Sequence, residues 1–202
     1  MTHGRRSPAG RPEVTSHAEI ERVAFQLFAA RGFEGTPLEA IAEGVGVSRR
    51  TLFRYFASKN DIPWGRFDRT LEHFRELLAV MPEDLPLEEA VHRGVVAFNR
   101  FPDDADPGHR ERMRLILETP TLQAHSVLRY RQWRRVIQEY VAERRAERVD
   151  DLVPRLVGHV SLGVAIAAYE QWLEDESLGL ERLLGDLRDA LRLYLADPCC
   201  RE

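Results

Sequence analysis

Only one lysine and two cysteines occur among the 202 residues, and no apolar run approaches the length that a membrane-spanning helix needs. The cysteines, Cys199 and Cys200, sit side by side behind Pro198, far from any histidine or carboxylate at zinc-ligand spacing. They read as tail residues, and neither a metal nor a cofactor is expected. Catalytic signatures are equally scarce. No glycine-rich loop ends in lysine, no His-Glu-x-x-His occurs, and the seven histidines are scattered. The run Gly158-His-Val-Ser-Leu-Gly163 places Ser161 one residue out of nucleophile-elbow spacing and inside a helical stretch. The opening Met-Thr-His-Gly-Arg-Arg-Ser-Pro lacks the apolar core of a signal peptide, so a cytoplasmic protein with no membrane partner is expected. No stretch of alternating β-branched residues suggests a sheet, and the expected fold is all-α.

What is present is a helical chain whose charge is unevenly placed. The net charge is −4, but residues 1–60 hold nine basic and six acidic residues, whereas residues 61–202 hold twenty and twenty-seven. A locally basic head on an acidic body suits a protein that neutralises phosphates at one site. Residues 1–15, with Arg5, Arg6, Arg11, Pro8 and Pro12, read as a disordered basic arm, chiefly a tail, with minor-groove contact as the functional alternative. The expected division is then a head over 16–60 and a body over 61–198.

Within the head, Ile20, Val23, Ala24, Leu27 and Phe28 recur on one face of a helix that ends at Gly32. Pro37 behind Thr36 reads as the first residue of a second helix running to about Gly44, with Thr36 as its N-cap. The turn Gly44-Val45-Gly46-Val47 follows, with Gly46 suited to a positive φ and Ala42 small enough for close approach. Residues 48–59 then predict a third helix capped by Ser48, burying Leu52 and Phe56 and turning Arg50, Thr51 and Arg54 outward. Ser58 caps the next helix. A glycine corner alone is ordinary packing. Three arginines on a helix of recognition length, with Lys59 next to it, point to DNA, because guanidinium forks match guanine edges and phosphates.

At these residues the chain resembles the tetracycline-repressor (TetR) family. Leu27-Phe28, Arg31-Gly32-Phe33, Thr36, Ile41-Ala42, Gly46-Val47-Ser48, Thr51-Leu52, Tyr55-Phe56 and Ser58-Lys59 follow its amino-terminal pattern in order and spacing. The resemblance implies base contacts from Arg49, Arg50 and Thr51, and phosphate contacts from Thr36, Tyr55 and Lys59. Ser48, Phe53 and Arg54 complete the candidate surface. Phe53 stands where the family commonly has tyrosine, and Arg50 where a small residue is frequent, so these two positions bear on operator preference.

Beyond Lys59 the chain is a string of long helices with short breaks, a bundle pattern. A helix from Ser58 to about Met81 carries Ile62, Trp64, Phe67, Leu71, Phe74 and Leu78. Further helices are expected over 87–101, 109–119, 121–148 and 151–175, with a loop from Asp103 to Gly108. Aromatic residues on the long helix over 121–148 can line a cavity, although such a row is ordinarily core. Phe98, His125, Arg129, Tyr130, Trp133, Ile137, His159 and Tyr169 form the candidate ligand pocket. Residues 156–169 are apolar almost all round, which requires burial on several sides. A second stripe follows from Leu180. Leu156, Val160, Val164, Ala167, Leu180, Leu184, Leu187 and Leu191 are therefore the candidate dimer interface, and the resemblance implies a four-helix dimer bundle from the last two helices. A two-fold dimer would present two reading heads to a palindromic double-stranded operator.

The segments around His125, Arg129-Tyr130, Trp133 and Tyr169-Glu170-Gln171-Trp172 also look like the actinobacterial subgroup associated with the mycofactocin system. That likeness implies an operator near redox or lipid-metabolic genes and an apolar or amphipathic effector such as a long-chain acyl-coenzyme A. The expected function is a ligand-responsive, homodimeric transcription regulator, a repressor in the first instance. A helical enzyme or adaptor is the alternative, and it leaves the arginine helix without a role.

Overall fold

The computed structural model describes residues 15–102 and 104–196, and among these residues it contains helices and no strands. Residues 1–14 of the proposed basic arm, Asp103 of the expected loop, and the two cysteines lie outside the described residues. The chain divides into two compact units, Met1–Gly65 and Arg66–Glu202.

In the first unit, α1 (His17–Arg31) starts at Ser16, whose side chain accepts the Glu19 N–H and so satisfies one of the free donors of the first turn. Its apolar face, Ile20, Ala24, Phe25 and Phe28, packs with Phe33, Ile41, Leu52, Phe56 and Ile62 into a small core. α2 (Leu38–Val45) ends at Gly46, with φ 74° and ψ 31°. The N–H of Val47 reaches Ala42 O at 2.9 Å and that of Gly46 reaches Glu43 O at 3.0 Å, the paired bonds of a Schellman end. Gly44 lies flat against α1, where a Cβ would come within 2.7 Å of Val23 Cγ1.

Three expectations for this unit need correction. Thr36 does not cap α2. Pro37 occupies that position with no side-chain cap, and the Thr36 hydroxyl turns inward instead. The third helix, α3 (Arg49–Leu52), covers one turn rather than residues 48–59. Beyond it, N–H groups of Arg54 and Tyr55 reach back three residues to Thr51 O and Leu52 O, which tightens the chain and brings Tyr55 and Phe56 onto α1. The helix expected from Ser58 to Met81 is broken. Lys59–Trp64 is a 3-10 helix containing Pro63, and Gly65 then takes φ 58° before α4 (Phe67–Ala79) begins.

The second unit contains α4, α5 (Leu87–Phe98), α6 (His109–Glu118), α7 (Pro120–Arg145), α8 (Leu152–Glu174) and α9 (Leu180–Ala196). Pro120 opens α7 at its first position, where a missing N–H costs nothing. The helix stops at Arg145, three residues short of the expected Arg148, and Ala146 takes the left-handed region. Phe74, Leu78, Ile116, Leu122, Val136, Ile137 and Val141 are almost fully buried at its centre. α7 and α8 cross closely at Gly158, where a Cβ would lie 3.0 Å from Gln138 Cγ and 3.2 Å from Arg134 O. Arg144 ties the end of α7 to the α4–α5 loop, donating to the carbonyls of Glu83 at 2.9 Å and Leu85 at 2.8 Å and to Tyr140 Oη at 2.8 Å.

α8 departs from expectation twice. By length and composition it is apolar enough to cross a membrane, against the expectation that no run would be. It is also not covered on several sides. Leu152, Leu156 and Val160 are 80%, 56% and 37% exposed within the protomer.

Candidate nucleic-acid interface and ligand-binding unit

Arg49, Arg50 and Arg54 all project from the surface around α3. Ser48 Oγ caps the turn by accepting the Thr51 N–H at 3.2 Å and lies 3.0 Å from Thr51 Oγ1. The Arg49 guanidinium is paired with Glu39 of α2 at 2.6 Å, between two exposed side chains, and its centre lies 5.9 Å from the Phe53 ring. Such an exposed pair is worth about 0.2–1 kcal/mol and yields readily to a phosphate or a base edge. Phe53 is 46% exposed, an apolar disc among cations. Glu39 was not singled out in the sequence, although its place on the neighbouring helix could have suggested it.

The three residues implied as phosphate contacts hold the head together in this conformation. Thr36 has no solvent exposure, and its hydroxyl is shared between Gly32 O at 2.8 Å and Leu27 O at 3.2 Å, which removes it from the phosphate contacts. The Tyr55 hydroxyl donates to Thr15 O at 2.8 Å, while its ring meets His17 edge-on at 4.9 Å. Lys59 Nζ sits 4.3 Å from the Phe33 ring centre and donates to Phe33 O at 2.8 Å and Thr36 O at 3.1 Å. Two of its three donors are thereby engaged.

In the second unit the candidate pocket residues separate. Trp133 and Ile137 are buried core, and Phe98 packs on Phe74 and Trp133 with ring centres 4.6 and 6.1 Å apart. Arg129 is half-buried over Phe67 and lies 3.9 Å from Asp68. His125 is half-buried on α7, and His159 is exposed on α8. Tyr169 is buried at the centre of a polar network that the sequence did not reveal. Its hydroxyl donates to Asn99 Oδ1 and lies 2.9 Å from His109 Nε2. Asn99 is fixed by donation to Val95 O at 2.7 Å.

With its proton committed to Asn99, the Tyr169 oxygen must accept from His109 Nε2–H, so Nδ1 is the unprotonated nitrogen. That atom is buried without a partner, beneath the stacked ring of Phe101 at 3.7 Å. Burial, with Arg112 adding to it, pushes the His109 pKa down to about 3, so the imidazole is neutral. Burial raises the hydroxyl pKa of both Tyr169 and Tyr130. For Tyr130 a hydrogen bond with Ser126 opposes the rise.

The candidate interface residues also divide. Leu156 and Val160 are exposed, and Val164, Ala167, Leu187 and Leu191 are half-covered. Leu180 and Leu184 are buried at 9% and 1% by their own protomer and are not available to a partner. Leu152 and Leu193, 80% and 74% exposed, belong to the uncovered apolar surface and were missed.

An arginine-bearing turn on a three-helix head, followed by a separate all-helical unit, defines a helix-turn-helix transcription regulator. Residues 20–62 match the model of the bacterial regulatory proteins of the tetR family, and residues 85–196 match that of the MftR C-terminal domain. The chain is 44% identical over 185 residues to a Mycobacterium tuberculosis protein that carries the name of a mycofactocin biosynthesis transcriptional regulator, MftR. The match covers 92% of this chain and 93% of that one. It is 31% identical over 187 residues to the HTH-type transcriptional regulator TcmR of Streptomyces glaucescens, covering 86% and 83%. Among solved structures, Thermus thermophilus FadR, a TetR-family repressor in complex with lauroyl-CoA, superposes with a TM-score of 0.56 at 22% identity, over 93% and 97% of the two chains. The chain belongs to the TetR family of transcriptional regulators, and it is a regulator rather than an enzyme.

Proposed function

We propose that the protein is a repressor that binds a palindromic operator as a homodimer in the bacterial cytoplasm and is released by an apolar or amphipathic effector, of which long-chain acyl-coenzyme A is the favoured class. The observation that carries the DNA reading is the outward set of Arg49, Arg50 and Arg54 on a capped turn. Arg50 has no acidic partner among the described residues and is the assigned guanine reader. Thr51 and Phe53 supply the adjoining base contacts, and Lys59 supplies a phosphate contact.

The exposed row Leu152, Leu156 and Val160 supports the homodimer, since a second copy would cover an apolar face that the protomer leaves open. Supporting the effector class are the MftR-type second unit and the lauroyl-CoA bound by FadR, a protein of the same fold. Release requires that the effector bind the DNA-incompetent state more tightly than the competent one.

Selection of bound fragments from genomic DNA, followed by gel shift with and without palmitoyl-coenzyme A, tests the whole reading. Expected are an enriched palindrome, beside genes of redox or lipid metabolism, and its release by the thioester. Arg50→Ala should weaken that site by about 1–3 kcal/mol. Failure to enrich any palindrome refutes the operator reading. An enriched site that the thioester leaves bound refutes the effector class alone. Leu156→Glu should give monomers in sedimentation at micromolar concentration, and an intact dimer would remove α8 from the interface.

A further inference from the structure

A groove of about 600 Å³ runs between α4, α7 and α8 on the second unit, apart from the Tyr169 network. Helical spacing builds its three walls. Asp68, Leu71, Glu72 and Arg75 come from one face of α4, Arg131, Arg134, Arg135 and Gln138 from one face of α7, and Arg155 and His159 from successive turns of α8, with Asp150 at the α7–α8 turn. The close crossing at Gly158 sets Arg155 and His159 beside Arg134 and Gln138.

Five arginines face three carboxylates in the lining, a net charge of +2 from these eight groups. Several of these charges are already matched. Arg135 pairs with Asp150 at 2.9 Å and Glu139 at 3.4 Å, Arg75 pairs with Glu139 at 3.1 Å, and Asp68 lies 3.9 Å from Arg129. Arg131, Arg134 and Arg155 have no carboxylate partner among the described residues. Arg134 is half-buried, so its charge lies where water screens it less.

Three unmatched guanidinium groups around one concavity, with amide and imidazole donors between them, form a cradle for several anionic oxygens at once. A single carboxylate would leave most of these donors idle. We infer that the groove between α4, α7 and α8 binds the phosphoanhydride part of a small organic polyphosphate through Arg131, Arg134 and Arg155. This rests on the reading of the second unit as effector-binding and extends it. If the effector is an acyl-coenzyme A, its nucleotide end takes this groove, whereas a free nucleotide or inorganic pyrophosphate carries the same chemistry from another source.

Calorimetry on the full-length protein tests it with pyrophosphate, coenzyme A, palmitoyl-coenzyme A and palmitate. The wild type is compared with a triple variant, Arg131→Gln, Arg134→Gln and Arg155→Gln. Pyrophosphate and coenzyme A should bind the wild type, and the triple variant should lose roughly tenfold in affinity per guanidinium removed. Glu72→Gln, which removes the unpaired carboxylate of the α4 wall, should tighten both several-fold, so that the inference stays testable if the triple variant misfolds. Pyrophosphate binding without coenzyme A binding would keep the site and assign it to a free polyphosphate. Coenzyme A that binds the triple variant as tightly as the wild type overturns the inference while leaving the effector reading intact. So does palmitoyl-coenzyme A that binds no better than palmitate when pyrophosphate also fails to bind, or a triple variant that sediments as a monomer, which would give the arginines to a second copy instead.

Discussion

Thr36→Val separates a structural tie from a DNA contact in one substitution. Valine keeps the shape of threonine, so the buried site stays filled while the hydroxyl is lost. In the native head that hydroxyl serves Gly32 O at 2.8 Å and Leu27 O at 3.2 Å, at a position with no solvent exposure. Removing it leaves buried carbonyl capacity unmet, at a cost of roughly 1–3 kcal/mol. Urea unfolding of the full-length protein reads this as a lower midpoint with an unchanged slope. Affinity for a random-sequence duplex at one fixed salt concentration reads the other possibility, because a neutral hydroxyl can bond a phosphate without releasing a counterion. With the hydroxyl turned inward, that affinity should equal that of the wild type. A loss of about 0.5–1.5 kcal/mol in affinity, with stability unchanged, would refute the reasoning and return Thr36 to the DNA surface.

Lys59→Met should lower stability by roughly 1–3 kcal/mol through loss of the bonds to Phe33 O and Thr36 O, and should also reduce the salt slope by about one unit. Unaltered stability in urea would show that the ammonium holds nothing. His109 binds its proton with a pKa near 3 in the folded chain, against 6.5 unfolded. Its contribution is therefore complete above about pH 6.5 and falls by about 1.4 kcal/mol per pH unit as the medium acidifies towards 3. His109→Gln should show a smaller drop in urea midpoint between pH 7 and pH 5 than the wild type, and an identical drop would refute the buried neutral state. Arg144→Ala should release the carbonyls of Glu83 and Leu85, costing about 1–3 kcal/mol and speeding limited proteolysis of that loop. An unchanged cleavage rate would show the loop is held elsewhere.

The helix-turn-helix was legible because its signals are local. Ser48 and Gly46 each act on bonds within three or four residues of themselves, and the structure uses them as cap and corner. α3 was overestimated because Leu52 and Phe56 keep helical spacing through a tightened turn, and periodicity does not distinguish the two. Thr36 misled for a related reason. Its place before Pro37 suits a cap, but the nearest free carbonyls are at the end of α1. The polar network of the second unit left no trace in sequence, since Asn99, His109 and Tyr169 are brought together only by packing. Along α9, Leu180 and Leu184 continue the same stripe as Leu187 and Leu191. Which part of a stripe its own protomer covers depends on where the neighbouring helices end.

The tie at Lys59 has a practical side. It carries the chain's only lysine amine, and two backbone carbonyls hold that amine beside an aromatic ring. Apart from the α-amino group, amine-directed reagents have a single target, and reaction there requires the Phe33–Thr36 segment to let go. The rate of labelling at this one position thus becomes a clock for opening of the DNA-binding head, readable by mass on the unmodified protein without an engineered probe.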